Sequence, residues 1–188
     1  MNVVILHGSP RRGRNSDTLA EKFLQGIKKT NSPKITHFYV NDMNIRPCQG
    51  CLFCENPPHN CRIEDDMQKV YAAYKAADLI VWAAPMYWGY LTAQLKAVQD
   101  RMEALAWSGF SDKTFVVLIT YRYHYQSAAG MFERIAPHFR IKLHVLPCRT
   151  HDGKRDILIA DCVKELDDAY RLGKQLGKSE FSIVDSSV

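Results

Sequence analysis

Two stretches of this sequence carry residue types that can do chemistry. The first is ILHGSPRRGRNSDT, Ile5 to Thr18. Gly8 and Gly13 have the spacing of the two glycines in a nucleotide-binding P-loop, G-x-x-x-x-G-K-[ST]. That motif continues with a Lys that reaches the outer phosphates and a hydroxyl that holds magnesium. Here Arg14 and Asn15 follow instead, so the loop is expected to bind some phosphate but not ATP or GTP. The second stretch is the run Cys48-x2-Cys51-x2-Cys54-x6-Cys61. Zinc sites pair C-x-x-C units farther apart. Three thiols at such short intervals with a fourth nearby suit a cubane iron–sulfur cluster better. The plainer alternative is a loop stiffened by Pro57, Pro58 and His59 that lies over a substrate site.

The elements that position these residues follow from periodicity. Val3–His7 is a short continuous apolar run ending at Gly8, as expected of a strand buried on both faces. A helix is expected next, capped by Asn15 or Ser16, with Leu19, Phe23, Leu24 and Ile27 on one face. Further strands are expected at 35–40, 78–85, 113–120 and 141–147, and further helices at 64–77, 92–107, 127–139 and 157–177. Strands that alternate with helices imply βαβ units, a parallel sheet and right-handed crossovers. The expected fold is α/β, a flavodoxin-like doubly wound five-stranded sheet with helices on both faces, in one domain. Ligands on such sheets sit beyond the carboxyl ends of the strands, where the first strand's loop lies. Ser9–Ser16 lies there, leading into a helix N-terminus whose free N–H groups favour an anion. An ordinary β–α turn with solvated arginines is the alternative for the loop taken alone.

GSPRRGRNSDTL resembles the G-S-P-R-x-x-x-N-[ST] loop of the NAD(P)H-dependent FMN reductase family. The likeness continues through CQGCLFCENPPHNCRIEDDM and VWAAPMYWGYLTAQLKAVQDRM, and so covers about 1–102. In pattern the chain is similar to the iron–sulfur flavoproteins. The resemblance implies FMN as cofactor, with Ser9, Arg11, Asn15 and Ser16 at the phosphate. It implies that Pro85, Met86, Tyr87, Trp88 and Gly89 lie against the flavin ring, with Thr120 and Tyr121 at its edge. NAD(P)H would be co-substrate, and a quinone, a flavin or another small molecule the acceptor. It also implies Cys48, Cys51, Cys54 and Cys61 as ligands of an iron–sulfur cluster if one is held, which would make the chain an electron carrier. A homodimer or homotetramer is implied too. The chain departs from the pattern after the fourth strand, where TYRYHYQ (120–126) has no glycine. Arg12 and Arg14 are expected to be surface charges, and His124 a polar surface residue. No side chain is assigned as a catalytic acid or base.

Composition sets limits. In 188 residues, Lys and Arg number 25 and Asp and Glu 20, a modest and scattered excess that does not suggest nucleic-acid binding. No stretch approaches the apolar length of a membrane span. MNVVILHGSP lacks the pattern of a secretory signal, and a cytoplasmic protein is expected. A low-molecular-weight phosphatase needs C-x5-R, which none of the six cysteines begins. The absence of any G-x-G argues against a separate dinucleotide fold. Cys148 and Cys162 are expected to be core thiols. Asp65 and Gln68 read as a capping box, and Gln94, Lys96, Asp100 and Arg101 as helix surface or subunit contact. The polar tail 178–188 is read as disordered or lying on a partner subunit.

Overall fold

The three central strands of the sheet are runs of apolar residues covered on both faces, and this dictates the layering. In the computed structural model, which describes residues 1–107 and 109–179, five parallel strands stand in the order β2-β1-β3-β4-β5. They are β1 (Asn2–His7), β2 (Lys34–Tyr39), β3 (Leu79–Pro85), β4 (Thr114–Tyr121) and β5 (Lys142–Arg149). Alternate residues point to opposite faces. Val3, Ile5, Leu79, Val81, Val116 and Leu118 pack under α1 (Asn15–Lys28) and α6 (Val163–Gly177). Val4, Leu6, Ile80, Trp82, Val117 and Ile119 pack under α2 (Met67–Ala76), α3 (Ala93–Asp100), α4 (Glu103–Ala106) and α5 (Gln126–Ile135). Because β1 is flanked by β2 on one side and β3 on the other, the chain reverses its winding between β1 and β3. That is the switch point at which open α/β sheets bind ligands.

Several boundaries differ from expectation for identifiable reasons. Neither Asn15 nor Ser16 caps α1. Arg14 is the flanking residue without a side-chain cap, and the Ser16 hydroxyl turns inward to Thr120 Oγ1 at 2.9 Å. The helix expected across 92–107 breaks into α3 and α4, because Arg101 leaves the helical path and buries its head against Asp65. α2 begins at Met67 rather than at Glu64. Asp65 accepts from the Met67 amide at 3.0 Å, but the Gln68 side chain donates to the carbonyls of Cys61 and Ile63 and completes no capping box. Arg101 is therefore corrected from helix surface to core. Cys148 and Cys162 are buried. Of the tail, residues 180–188 lie outside the described residues. Among the described residues, no helix is long and apolar enough to cross a membrane.

Candidate functional site

Three loops leave the carboxyl ends of β1, β3 and β4 and enclose one open cavity of about 850 Å³. That volume lies within the range of about 300–1,000 Å³ typical of small-molecule and cofactor sites. The first loop is tied down at its start. Gly8 N–H donates to Ala83 O at 2.8 Å, and Thr92 Oγ1 donates to Gly8 O at 2.8 Å. Ser9 Oγ then accepts from Arg11 N at 3.1 Å, a local turn that aims the following backbone at the α1 N-terminus. Gly13 takes φ +67, a left-handed conformation that glycine adopts at no steric cost. The second loop is a tight reversal in which Tyr87 and Tyr90 exchange both backbone hydrogen bonds, at 2.8 and 3.0 Å. Its two central residues, Trp88 and Gly89, both lie at positive φ (+47 and +80), as a type I′ turn requires. The Trp88 side chain is fully exposed. The third loop continues β4 and is joined to the second by Met86 N–H to Thr120 O at 2.8 Å.

All eleven residues expected to hold the cofactor line this cavity: Ser9, Arg11, Asn15, Ser16, Pro85, Met86, Tyr87, Trp88, Gly89, Thr120 and Tyr121. Five others join them: Arg14, Arg122, Tyr123, His124 and Thr150. Arg14 and His124 are exposed, as expected, and lie along the cavity's open side. Arg12 instead turns outward, stacking over the Tyr39 ring at 3.9 Å and pairing with Asp42. Thr150 was invisible in sequence. It follows β5, which pairs with β4 and brings the residue alongside Tyr121, to whose carbonyl its amide donates at 2.8 Å.

The lining contains three arginines and no carboxylate, so the cavity's charge is one-sided. Met86, Tyr87, Trp88, Tyr121 and Tyr123 supply an apolar and aromatic wall. Burial pushes the Tyr121 hydroxyl above its ordinary value, with Tyr125 adding to the shift. One end therefore suits a phosphate, and the rest suits a flat aromatic body. No pair of side chains in it has the arrangement of a nucleophile and its base.

The cysteine segment is separate from this cavity. Cys48, Cys51, Cys54 and Cys61 line a small pocket of about 30 Å³, closed on one side by Asp100, Arg101 and Ala104. Cys48 and Cys51 are exposed. Burial pushes the pKa of the Cys54 thiol up, reinforced by Glu103 and the neighbouring thiols. Among the described residues, no three His, Cys, Asp or Glu side chains converge as a metal-holding group.

Comparison with known proteins bears on the site. An iron–sulfur flavoprotein of Methanosarcina thermophila is 36% identical over 116 residues, covering 62% of this chain and 60% of that protein. A second, from Archaeoglobus fulgidus, is 40% identical over 103 residues, 55% of this chain and 51% of the other. The chain thus spans only about half to three-fifths of these relatives' length (51% and 60%). Among solved structures, an NAD(P)H:quinone oxidoreductase from Methanothermobacter marburgensis has a TM-score of 0.67 at 18% identity, covering 94% of this chain and 98% of its own. An FMN-dependent NADH-azoreductase from Bacillus anthracis gives 0.68 at 13% identity, with coverages of 94% and 98%. At such identities these two establish a shared fold. The sequence model of the NADPH-dependent FMN reductase family matches residues 1–149, and the chain belongs to that family.

Proposed function

We propose that this chain binds FMN in the three-loop cavity and passes electrons from NAD(P)H through the flavin to a small acceptor such as a quinone or a free flavin. The observation that carries this reading is the cavity's make-up: an arginine-rich loop at a helix N-terminus opens directly into an aromatic cleft with no carboxylate. FMN has those two parts, a phosphate dianion and a flat ring. Ser9, Arg11, Asn15 and Ser16, now with Arg14, would hold the phosphate through charge-assisted bonds and free amides. Pro85–Gly89, Thr120 and Tyr121 would bound the ring and exclude water from it. When bound, the flavin supplies the hydride- and electron-transfer chemistry, and the protein contributes orientation and electrostatics. No side chain is needed as acid or base. A homodimer or homotetramer and a cytoplasmic location belong to the same reading. The exposed Trp88, Tyr87 and Tyr123 at the cavity rim are what a second subunit would cover. Titration with FMN tests the cofactor by quenching of its fluorescence. Anaerobic NAD(P)H should then bleach the bound flavin, and a quinone should restore its colour. A chain that binds neither FMN nor FAD overturns the proposal, and sedimentation as a monomer at micromolar concentration overturns the assembly.

A second reading, an electron carrier with an iron–sulfur cluster, is favoured by one observation: all four cysteines of the run face the same pocket beside a buried arginine. Anaerobic purification followed by iron and sulfide analysis separates the two. About four irons per chain, lost in Cys51→Ala, supports the carrier, and flavin at full occupancy without iron supports the reductase.

A further inference from the structure

Beneath the phosphate loop lies a chain of polar side chains that the proposed function does not use. His7, the last residue of β1, is buried. Its Nδ1 meets Asp17 Oδ1 at 2.8 Å, and its Nε2 meets His37 Nδ1 on the neighbouring strand β2 at 3.0 Å. The other Asp17 oxygen accepts the Gly13 amide at 2.7 Å, so the same carboxylate grips the left-handed turn of the loop. Tyr39 stacks on the His7 ring at 4.3 Å, and Arg12 lies over Tyr39 while pairing with Asp42. Lys28 on α1 is the remaining charge that acts on His37. These groups face the pair from the loop, α1 and β2. β3 contributes only Ala83 beside His7.

The bonding pattern fixes how many protons the chain can hold. Asp17 is an anion, so His7 Nδ1–H donates to it. Between His7 Nε2 and His37 Nδ1 there is room for one proton. In the neutral pair, His37 donates to the His7 lone pair. The pair can take up one further proton and keep the bond, because one ring then donates and the other still accepts. A second extra proton would set N–H against N–H and break it. Burial works against the Asp17 carboxylate, yet the bonds from His7 and Gly13 outweigh it and hold its pKa below the usual range. His37 is held low, by burial first and then by the charges of His7 and Lys28. In the absence of an anion His37 is therefore biased toward its neutral form, and with the pair neutral Asp17 leaves one negative charge against the loop.

We propose that His7, Asp17 and His37 are positioning residues that couple the phosphate loop to a proton: a phosphate-monoester dianion settling in Gly8–Ser16 draws one proton onto the His7–His37 pair. This rests on the reading of that loop as the FMN phosphate site. With the pair neutral, Asp17's charge opposes the dianion. With the pair cationic, the network is neutral overall and the opposition disappears. The proton comes from bulk water, and no bond to the ligand is made or broken. Linkage then requires binding to weaken as pH rises, because the bound state holds more protons.

The test is FMN titration from pH 6 to 8 of the full chain, in buffers of different ionisation enthalpy, with the proton uptake read by calorimetry. Above the phosphate's own second ionisation near ~6, the ligand's titration contributes little, and the remainder cancels in comparison with variants. The Kd of the wild type should rise by up to about tenfold per pH unit, the limit for one linked proton. His7→Gln, which keeps hydrogen bonding but cannot charge, should flatten that slope and lose the calorimetric uptake. Because His7 is buried, nitrogen NMR of the wild-type histidine rings provides a reading that needs no fold-risking variant. At pH 7, adding FMN should move the ring nitrogens of the pair toward imidazolium, with His37→Gln, at an exposed position, assigning the signals. Equal slopes in wild type and His7→Gln, or unmoved ring nitrogens on saturation, overturn the proposal while leaving FMN binding intact. Absence of FMN binding overturns both together.

Discussion

Replacing Arg101 by Met should unfold the chain many degrees earlier, and the size of the loss follows from what surrounds the guanidinium. Arg101 stands at the end of α3 with its side chain 1% exposed, facing an Asp65 carboxylate that is 0% exposed, at 2.5 Å. The same guanidinium donates to the carbonyls of Arg46 at 3.2 Å and Ile63 at 3.1 Å and touches Cys61 Sγ at 3.5 Å. Its Nε is buried without a partner among the described residues. Burial opposes both charges, but their mutual hydrogen bond prevails, lowering the pKa of Asp65 and raising that of Arg101. Arg101→Met leaves a buried anion with the amides of Arg46 and Met67, at 2.9 and 3.0 Å, and the half-exposed Arg46 guanidinium at 3.8 Å, and takes the guanidinium donor from the Arg46 carbonyl, while Ile63 O keeps Gln68. Removing one member of a buried pair costs about 3–5 kcal/mol. At about 2–4 °C per kcal/mol for a chain of this size, Tm should fall by about 6–20 °C. A solvated pair would cost only about 0–1 kcal/mol.

Urea and thermal melts at pH 7 measure the loss, and limited proteolysis should open first within 46–63, the segment this pair clamps to α3. Replacing both partners together, Asp65→Leu with Arg101→Met, should restore most of the stability, since no lone charge remains. The pH dependence has a definite sign. Asp65 has a lowered folded pKa, so its contribution is present above the ordinary carboxylate value of about 3.9 and is lost as pH falls through the lower folded value. The gap between wild type and Asp65→Asn should therefore close in acid. A fall in Tm below about 2 °C for Arg101→Met, or a gap that widens in acid, refutes the reasoning.

Arg11→Ala and Arg14→Ala should each weaken FMN binding by about 10- to 150-fold, the equivalent of a charge-assisted bond. Arg12→Ala, whose head turns away to Asp42, should change it little; fluorescence titration compares the three. Gly8→Ala should destabilise by about 1–3 kcal/mol in urea melts, because the new Cβ would fall 2.0 Å from Leu95 Cδ1 in a fully buried contact. Trp88→Asn should leave the free chain as stable or up to about 1 kcal/mol more stable, since Asn tolerates the positive φ that Trp88 bears. The same change should weaken flavin binding, and a variant that melts several degrees lower would show that Trp88 supports the fold rather than the site.

The strands were legible because β1, β3 and β4 are covered on both faces, and such strands read as unbroken apolar runs. The first and second loops were legible for a related reason: each follows such a run at once, and the doubly wound order brings the ends of β1, β3 and β4 together. The helix ends were harder to place, because they answer to partners distant in sequence. Ser16 looks like a cap until Thr120, a hundred and four positions later, is found opposite its hydroxyl. Thr92 is an N-cap in the ordinary sense, yet its stronger bond is to Gly8 O on another strand's loop.

Arg101 shows where local reading fails in kind. Its neighbours Gln94, Lys96 and Asp100 are polar at helical spacing, so the residue inherits the look of an exposed face. Asp65, thirty-six positions earlier, has a sufficient local explanation as a helix-entry residue and gives no hint of a second role. Each residue has a complete short-range account, and the two accounts become incompatible only when α3 and the 46–66 segment are brought face to face. The same holds for His7, which reads as the polar end of a buried strand until Asp17 and His37 close on its two nitrogens. Polar residues with a plausible local role are therefore the ones whose long-range role is hidden, whereas apolar runs and glycine turns, which have no competing local use, disclose theirs. That asymmetry explains why the cavity's frame could be anticipated while the ionic clamp beside the cysteines and the histidine pair beneath the phosphate loop could not.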